Sequence, residues 1–274
     1  MNMMEVSHLT RDYGRGRGVF DLSFSIQSGE VFGFLGPNGA GKTTTIRHLM
    51  GFVRPRRGSC RIGGLDCWRN AAAIQQHLGY IPGEIALFDE MTGREYLRFV
   101  QRYRGLRGEG RLRELIDRFE LDPRGKIKRM SKGMKQKVGL VAAFLHDPAI
   151  YILDEPTSGL DPLMQNRFVE LIREEKARGK TILMSSHMFE EVDRTCDRVG
   201  IIRAGRLVAL DDIDALRDRH LRRYTVTLAD PGTAADFARD FGGRQDPDHP
   251  ARVTVHARQS LEEIFLDYYG GGEA

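Results

Sequence analysis

Gly36-Pro37-Asn38-Gly39-Ala40-Gly41-Lys42-Thr43 satisfies the spacing G-x-x-x-x-G-K-[ST] in full. That spacing suits one kind of chemistry. Its glycines let successive backbone N–H groups turn inward around phosphate oxygens, and the start of a following helix adds partial positive charge. Lys42 can reach β- and γ-phosphates, and the Thr43 hydroxyl can hold Mg2+. A second pair, Asp154-Glu155, closes the apolar run Ala149-Ile150-Tyr151-Ile152-Leu153. There Asp154 suits a metal, usually through water. Glu155 suits a general base that polarises a water for in-line attack on a γ-phosphate. His187 ends the next apolar run, at the edge where open parallel sheets bind ligands.

Strands and helices must bring these groups together. Val31-Phe32-Gly33-Phe34-Leu35 reads as a buried strand before the phosphate loop, and Thr44 to Met50 as the helix after it. Met4–Leu9 and Val19–Ile26 read as short strands, and Ser59–Ile62 as another, turning at Gly63-Gly64. From Arg111, residues Leu112, Leu115, Ile116 and Phe119 fall on one helical face, and Val138–Leu145 continues a helix that Asp147-Pro148 stops. Ala149–Leu153 is a buried parallel strand. Asp161-Pro162 caps and opens the next helix, and Thr181–Ser186 follows as a strand. A hairpin over Val199–Ala209 turns at Ala204-Gly205. This alternation predicts an α/β fold with helices on both faces of a parallel sheet. The register changes near Leu216. Tyr224–Leu228 and Arg252–His256 read as strands, and Ser260-Leu261-Glu262-Glu263 as a capping box. A closing helix with Leu261, Ile264, Phe265 and Tyr268 on one face follows it. The expected division is 1–215 and a small appended domain, 216–274.

Composition bounds the setting. The 274 residues are 41% hydrophobic and 29% charged, as in a globular protein, and no apolar run approaches the roughly 18 residues of a membrane span. Met1–Thr10 has no basic segment leading into an apolar core, so no secretion signal is expected. Cys60, Cys67 and Cys196 lack metal-like spacing and read as reduced thiols. The net charge of +4 is uneven: Arg94–Lys137 holds fifteen Lys/Arg against six Asp/Glu. Such a segment could meet nucleic acid, lipid head groups or an acidic partner, or be a solvated helical face.

Taken together, the sequence resembles the nucleotide-binding subunit of ATP-binding cassette (ABC) transporters over about Val6–Asp211. Gly36–Thr43 matches the Walker A loop and Ile150–Asp154, with Glu155, matches Walker B and its catalytic glutamate. Ser158-Gly159-Leu160-Asp161 matches the D-loop and His187 the switch histidine. Tyr13 falls where the family stacks an aromatic ring on adenine. The resemblance implies a P-loop NTPase core with an antiparallel β subdomain and a helical insert at about 85–145, followed by a small α+β extension. It implies ATP and Mg2+ bound by Tyr13, Gly36, Pro37, Asn38, Gly39, Ala40, Gly41, Lys42, Thr43 and Thr44, with Thr43 and Asp154 toward the metal. It also implies catalysis by Glu155, His187 and Lys42.

Two motifs depart from the family pattern. The signature, usually L-S-G-G-Q, reads Met130-Ser131-Lys132-Gly133-Met134 here. Ser131 and Gly133 are kept, so contact with an ATP held by a second subunit is expected, while Lys132 either adds charge near the phosphate or points to solvent. Where the family has a glutamine after Tyr-x-Pro, this chain has Gly83, leaving Glu84 as a substitute metal ligand. The mechanism so implied closes two cassettes, identical or different, on two ATP molecules. It drives a separate multi-span permease from the cytoplasmic face of the membrane. The variant motifs look like the branch that exports drugs, antibiotics or lipids, with no nucleic acid expected as partner. Two alternatives stand beside it. A soluble cassette ATPase on ribosomes or DNA would use the basic segment, but such relatives usually carry two cassettes, coiled coils or zinc insertions. A kinase would need an acceptor site, whereas Asp154-Glu155 with His187 argues for water.

Overall fold

Strands that face a core on one side alternate apolar and polar residues, and the first two strands do so. β1 (Asn2–Asp12) and β2 (Gly18–Gln27) pair antiparallel, with Val6 opposite Phe24 and Leu9 opposite Leu22. The next strand, β3 (Val31–Leu35), enters a different sheet. β4 (Arg57–Ile62) pairs with the other edge of β1 and turns at Gly63-Gly64 into β5 (Leu65–Asp66). The result is a four-stranded antiparallel sheet in the order β2-β1-β4-β5.

Uniformly apolar runs form the second sheet, because strands covered on both faces have no polar side. In this computed structural model, which describes residues 2–219, 221–258 and 260–264, β3 is joined by β6 (Leu78–Ile81), β7 (Ile150–Asp154), β8 (Thr181–Ser186) and β9 (Arg198–Arg203). All pair in parallel, and β10 (Arg206–Asp212) lies at the edge beside β9, in the order β10-β9-β3-β8-β7-β6. The register sets Leu35 opposite Ser186, Asp154 opposite Ser185, and Ile81 opposite Leu153. Every segment leaving these strand ends emerges on one edge of the sheet.

The helices bury two cores. α1 (Lys42–Leu49) and α2 (Ala71–Gln76) lie with the antiparallel sheet, where Met4, Phe24, Phe32, Phe34 and Leu49 cluster. α3 (Gly93–Tyr103), α4 (Gly110–Arg118), a 3-10 turn at Ile127–Arg129 and α5 (Lys132–Phe144) form the helical insert. Its Leu97, Leu115 and Phe119 join Phe144, Tyr151 and Phe168 in the second core. Each such fully buried side chain contributes roughly 1.5–3 kcal/mol. α6 (Pro162–Ala177) starts where Asp161 accepts the Met164 amide at 3.0 Å, and α7 (Phe189–Thr195) follows β8. α5, the helix that Val138–Leu145 continues, begins at Lys132 because Ser131 caps it. α3, which the periodicity did not single out, is nucleated by a reciprocal capping box between Thr92 and Glu95.

The chain divides into two compact units, Met1–Leu210 and Asp211–Ala274. The register change comes where β10 ends and α8 (Ile213–Arg219) begins. The second unit pairs β11 (Leu221–Thr227) antiparallel with β13 (Arg252–Arg258), with β12 (Arg244–Gln245) on the other side of β13. α9 (Pro231–Asp240) is capped by Asp230. Ser260 and Glu263 exchange the expected capping-box bonds, and Leu261 and Ile264 are buried. Phe265 and Tyr268 of the expected closing helix lie outside the described residues.

Candidate active site

The phosphate loop is a strand-to-helix turn whose amides have no side-chain competitor. Gly41, the N-cap of α1, sits at φ 114°, a conformation that L side chains rarely adopt, and it offers no cap of its own. The first N–H groups of the helix are left for an external acceptor. Gly36 and Ala40 back the loop: Gly36 supplies its carbonyl to Lys42, and the Ala40 carbonyl accepts from Gly205 N at 2.9 Å. Lys42 is 4% exposed, and its Nζ donates to Gly36 O at 2.5 Å and Pro37 O at 3.2 Å. It also lies 3.3 Å from Glu155 Oε1.

In front of the loop opens a cleft of about 380 Å³, lined by Tyr13, Arg17, Pro37, Asn38, Gly39, Gly41, Lys42, Thr43, Thr44 and Glu155. Tyr13 is half-exposed, with the Arg11 guanidinium 5.3 Å from its ring centre. A flat aromatic face at one end and Lys42 with open amides at the other suit a base and a phosphate chain. Arg17 adds a cation that the sequence reading passed over as part of a glycine-rich loop. The signal was its place beside Tyr13, whose amide donates to the Arg17 carbonyl at 2.9 Å.

Asp154 and Glu155 diverge at the end of β7. Asp154 is fully buried, and its Oδ1 accepts a short hydrogen bond from Ser185 Oγ. Its Oδ2 is buried with no hydrogen-bond partner. An orphaned carboxylate oxygen carries a desolvation cost that a cation or its bound water would remove, so this site fits Mg2+. Among the described residues no group of three His, Cys, Asp or Glu could hold a metal alone, which suits an ion that takes other oxygens from phosphate. Glu155 adopts φ 48°, unusual for a side-chain-bearing residue, and its amide is held by Ser185 O and Oγ, each at 3.1 Å. Holding a non-glycine residue there costs about 1–3 kcal/mol, a strain typical of functional sites. Its second oxygen, Oε2, lies 3.5 Å from Nδ1 of the half-exposed His187. Lys42, Glu155 and His187 thus form one chain of polar contacts.

The two departures have structural counterparts. A Cβ on Gly83 would stand 3.1 Å from Asp154 Oδ2, so the glycine lets the backbone lie close against the orphaned oxygen. Glu84 beside it is exposed and does not line the cleft. Ser131 and Gly133 also lie outside the cleft lining. Ser131 Oγ accepts the Met134 amide at 3.2 Å, and a Cβ on Gly133 would meet Gly159 O at 2.6 Å. Lys132 is exposed, and its Nζ donates to Ser158 Oγ at 2.9 Å within the same chain. Gln136, which the sequence reading missed, adds a 2.6 Å bond to Pro156 O. Ser185 was missed too, although a Ser-Ser pair ending an apolar strand beside His187 was the visible signal. The fold therefore unites Tyr13, the phosphate loop, Asp154, Glu155 and His187, and leaves the start of α5 as a separate surface.

Comparison with known proteins agrees with this geometry. The ABC transporter family model matches residues 19–158. The linearmycin resistance ATP-binding protein LnrL of Bacillus subtilis (strain 168) is 38% identical over 213 residues, covering 76% of this chain and 68% of that protein. The bacitracin transport ATP-binding protein BcrA of Bacillus licheniformis is 35% identical over 274 residues, covering 97% and 90%. A solved ATP-binding subunit of an ABC transporter superposes with TM-score 0.72 at 36% identity, over 79% of this chain and 92% of that one. The match runs through the phosphate loop and the Asp154-Glu155 strand, and the similarity to BcrA continues across nearly the whole chain: it belongs to the ABC transporter family, as an ATP-binding subunit that hydrolyses ATP to energise a membrane transporter.

Proposed function

We propose that this chain holds Mg2+ and ATP in the Tyr13–Thr44 cleft, hydrolyses the γ-phosphate with Glu155 as general base, and powers an exporter whose permease is a separate chain. The observation that carries the reading is the position of Glu155, shared between Lys42 at 3.3 Å and His187 at 3.5 Å on the rim of the phosphate cleft. Lys42 Nζ donates to loop carbonyls and lies 3.3 Å from Glu155 Oε1. A γ-phosphate is the stronger partner for Lys42, and its arrival frees the Glu155 carboxylate to accept a proton from water. His187 then stands beside both the base and the transferred group. A base so placed is worth about 10²–10⁴-fold in rate. Thr43 and Asp154 would hold Mg2+, with Gly83 leaving room beside Asp154, while Glu84, exposed and outside the cleft lining, is left out of the ligand set. When bound, the ion neutralises charge on the phosphates.

The start of α5, with Ser131 and Gly133, serves the nucleotide of a second cassette, since it has no place in this chain's own cleft. Among the described residues no helix is long and apolar enough to cross a membrane, in keeping with a separate permease and a place at the cytoplasmic membrane face. An exposed aromatic ladder on the helical insert offers the docking surface: Phe88 packs edge-on against Phe99 at 5.7 Å, and Phe99 stacks on Tyr103 at 6.2 Å. The basic segment favours this reading over a nucleic-acid one. Arg98, Arg111, Arg113, Arg118, Arg124, Lys126, Lys128 and Lys135 all stand in ion pairs, so the surface is less cationic than its composition. Export of an antibiotic-like or lipid-like molecule is suggested by the bacitracin-transport and linearmycin-resistance relatives. The test is the tagged Glu155→Gln chain, purified with ATP from solubilised membranes. Expected are retained ATP binding, hydrolysis lower by about 10²-fold or more, and a multi-span protein in roughly equal amount. A chain that stays off the membrane and brings down ribosomes would overturn the proposal.

A further inference from the structure

Behind His187 lies a carboxylate for which the mechanism above has no use. Glu191, on α7, is 5% exposed. Its Oε2 accepts from Ser186 Oγ at 2.7 Å, and Thr157 lines the same small cavity beside it. Its Oε1 is buried and without a partner. The donor and this neighbour come from two loops next to His187 and Glu155. Ser186 directly precedes His187, and Thr157 stands two residues after Glu155.

The bonds have a directional consequence. With its proton committed to Glu191, the Ser186 hydroxyl turns a lone pair to Met188 N, which it accepts at 2.9 Å. That contact closes the turn through His187. On the other side, Thr157 lies inside the turn made by Ser158 N to Glu155 O at 3.1 Å and Leu160 N to Thr157 O at 3.0 Å. One carboxyl group is therefore bonded to the His187 turn and stands beside the Glu155 loop.

The arrangement is costly, which argues against a purely structural role. No ion pair to Glu191 is formed among the described residues, and burial pushes its carboxyl up to about 7. The hydroxyls of Ser186 and Thr157 hold it down only in part, and the Glu155 charge adds to the rise. A cavity of about 110 Å³ adjoins it, lined by Thr157, Gln165, Asn166, Met188 and Arg194 among others. An apolar residue there would cost less to bury.

We propose that Glu191 is a positioning residue for ATP hydrolysis: it holds the His187 turn and the loop after Glu155 in one arrangement, so that base and histidine present to the γ-phosphate together. The proposal rests on the hydrolytic reading given above. It makes Glu191 matter for turnover and not for nucleotide affinity, since the phosphate loop and Tyr13 are untouched by it.

The test compares Glu191→Ala, Glu191→Gln, Ser186→Ala and Thr157→Val in the full chain, measuring ATP Kd, kcat and thermal stability. Glu191→Ala is expected to keep Kd within about twofold and to lose up to about 10²-fold in kcat, the scale of a misplacement near 1 Å. Its melting temperature should not fall, which a merely structural residue would not allow. Glu191→Gln, which keeps an acceptor oxygen, should recover most of the rate. Adding Ser186→Ala to Glu191→Ala should cost little more, because both remove one interaction. If Glu191→Ala fails to fold, Ser186→Ala and Thr157→Val decide the matter by lowering kcat at unchanged Kd. A normal kcat in Glu191→Ala, or in both hydroxyl variants, overturns the proposal, and so does a Gln variant as slow as Ala. Glu155→Gln run alongside separates the two readings. If it hydrolyses normally, the hydrolytic reading falls and this inference with it, whereas a dead Glu155→Gln beside normal Glu191 variants removes only the latter.

Discussion

Two helices of this chain begin at glycine-bearing motifs associated with phosphate, and they begin differently. α1 starts at Gly41 in a left-handed conformation with no side-chain cap, so its first amides face the cleft. α5 starts at Ser131, whose hydroxyl oxygen already accepts the Met134 amide, with Gly133 pressed on Gly159 and Lys132 bonded to Ser158. The first terminus is an open anion site. The second is satisfied by its own chain and joined to the loop that follows Glu155. A terminus that binds within its own subunit can stay open beside a lysine. One proposed to serve another subunit's nucleotide needs local partners meanwhile, and here those partners lead back to Glu155.

The largest expected effect breaks the open end. Lys42→Ala should lower kcat/KM for ATP by about 10²–10³-fold, as loss of one preorganised charge-stabilising donor does. Steady-state ATPase assays check it, and a wild-type value would mean that the loop amides suffice. The region between the two ends should show a pH effect. Burial raises Glu191 above its ordinary value to about 7, so the folded chain binds more protons than the unfolded chain between roughly pH 4.5 and 7. Stability from this group should be greatest at low pH, fall as pH rises through that window by on the order of a few kcal/mol at most, and then level off. Melting temperatures of wild type and Glu191→Gln across pH 5–8 should converge toward the acid end and separate above it.

Smaller effects sharpen the closed end. Ser131→Ala removes the cap of α5 and should cost about 1 kcal/mol of stability, read from denaturant midpoints. It should also slow hydrolysis while leaving nucleotide binding to the monomer unchanged. Lys132→Gly, which restores the usual family residue, should change stability by less than about 1 kcal/mol, as an exposed contact would. Its rate effect should vanish when Ser158→Ala is already present. Additive rate effects would instead assign Lys132 to the neighbouring subunit's phosphate.

Much of the site was legible because its parts are contiguous. Gly36–Thr43 carries its own turn, helix start and cation, and Asp154-Glu155 sets the proposed metal ligand and proposed base side by side. Asp161 and Ser260 announced their caps through bonds spanning three residues. What escaped notice depends on distant partners. Gln136 is a helical glutamine until the fold brings Pro156 O to it, and Glu191 is one of two adjacent glutamates until burial singles it out. The charge of Arg94–Lys137 was counted correctly, but its neutralisation depends on Glu90, Glu174 and Glu175 from outside that segment.

The sequence by itself determined the local features: a glycine-rich strand–loop–helix, a carboxylate pair at a strand end, and the alternation that makes a parallel sheet. Backbone propensity and short-range hydrogen bonds suffice for these. Only the tertiary structure decided that Glu155 meets both Lys42 and His187, that Asp154 keeps one oxygen free, and that Lys132 serves Ser158. Those contacts follow from strand register, with Leu35 level with Ser186 and Asp154 level with Ser185. Register is set by the burial of whole strands against helices contributed from across the first unit.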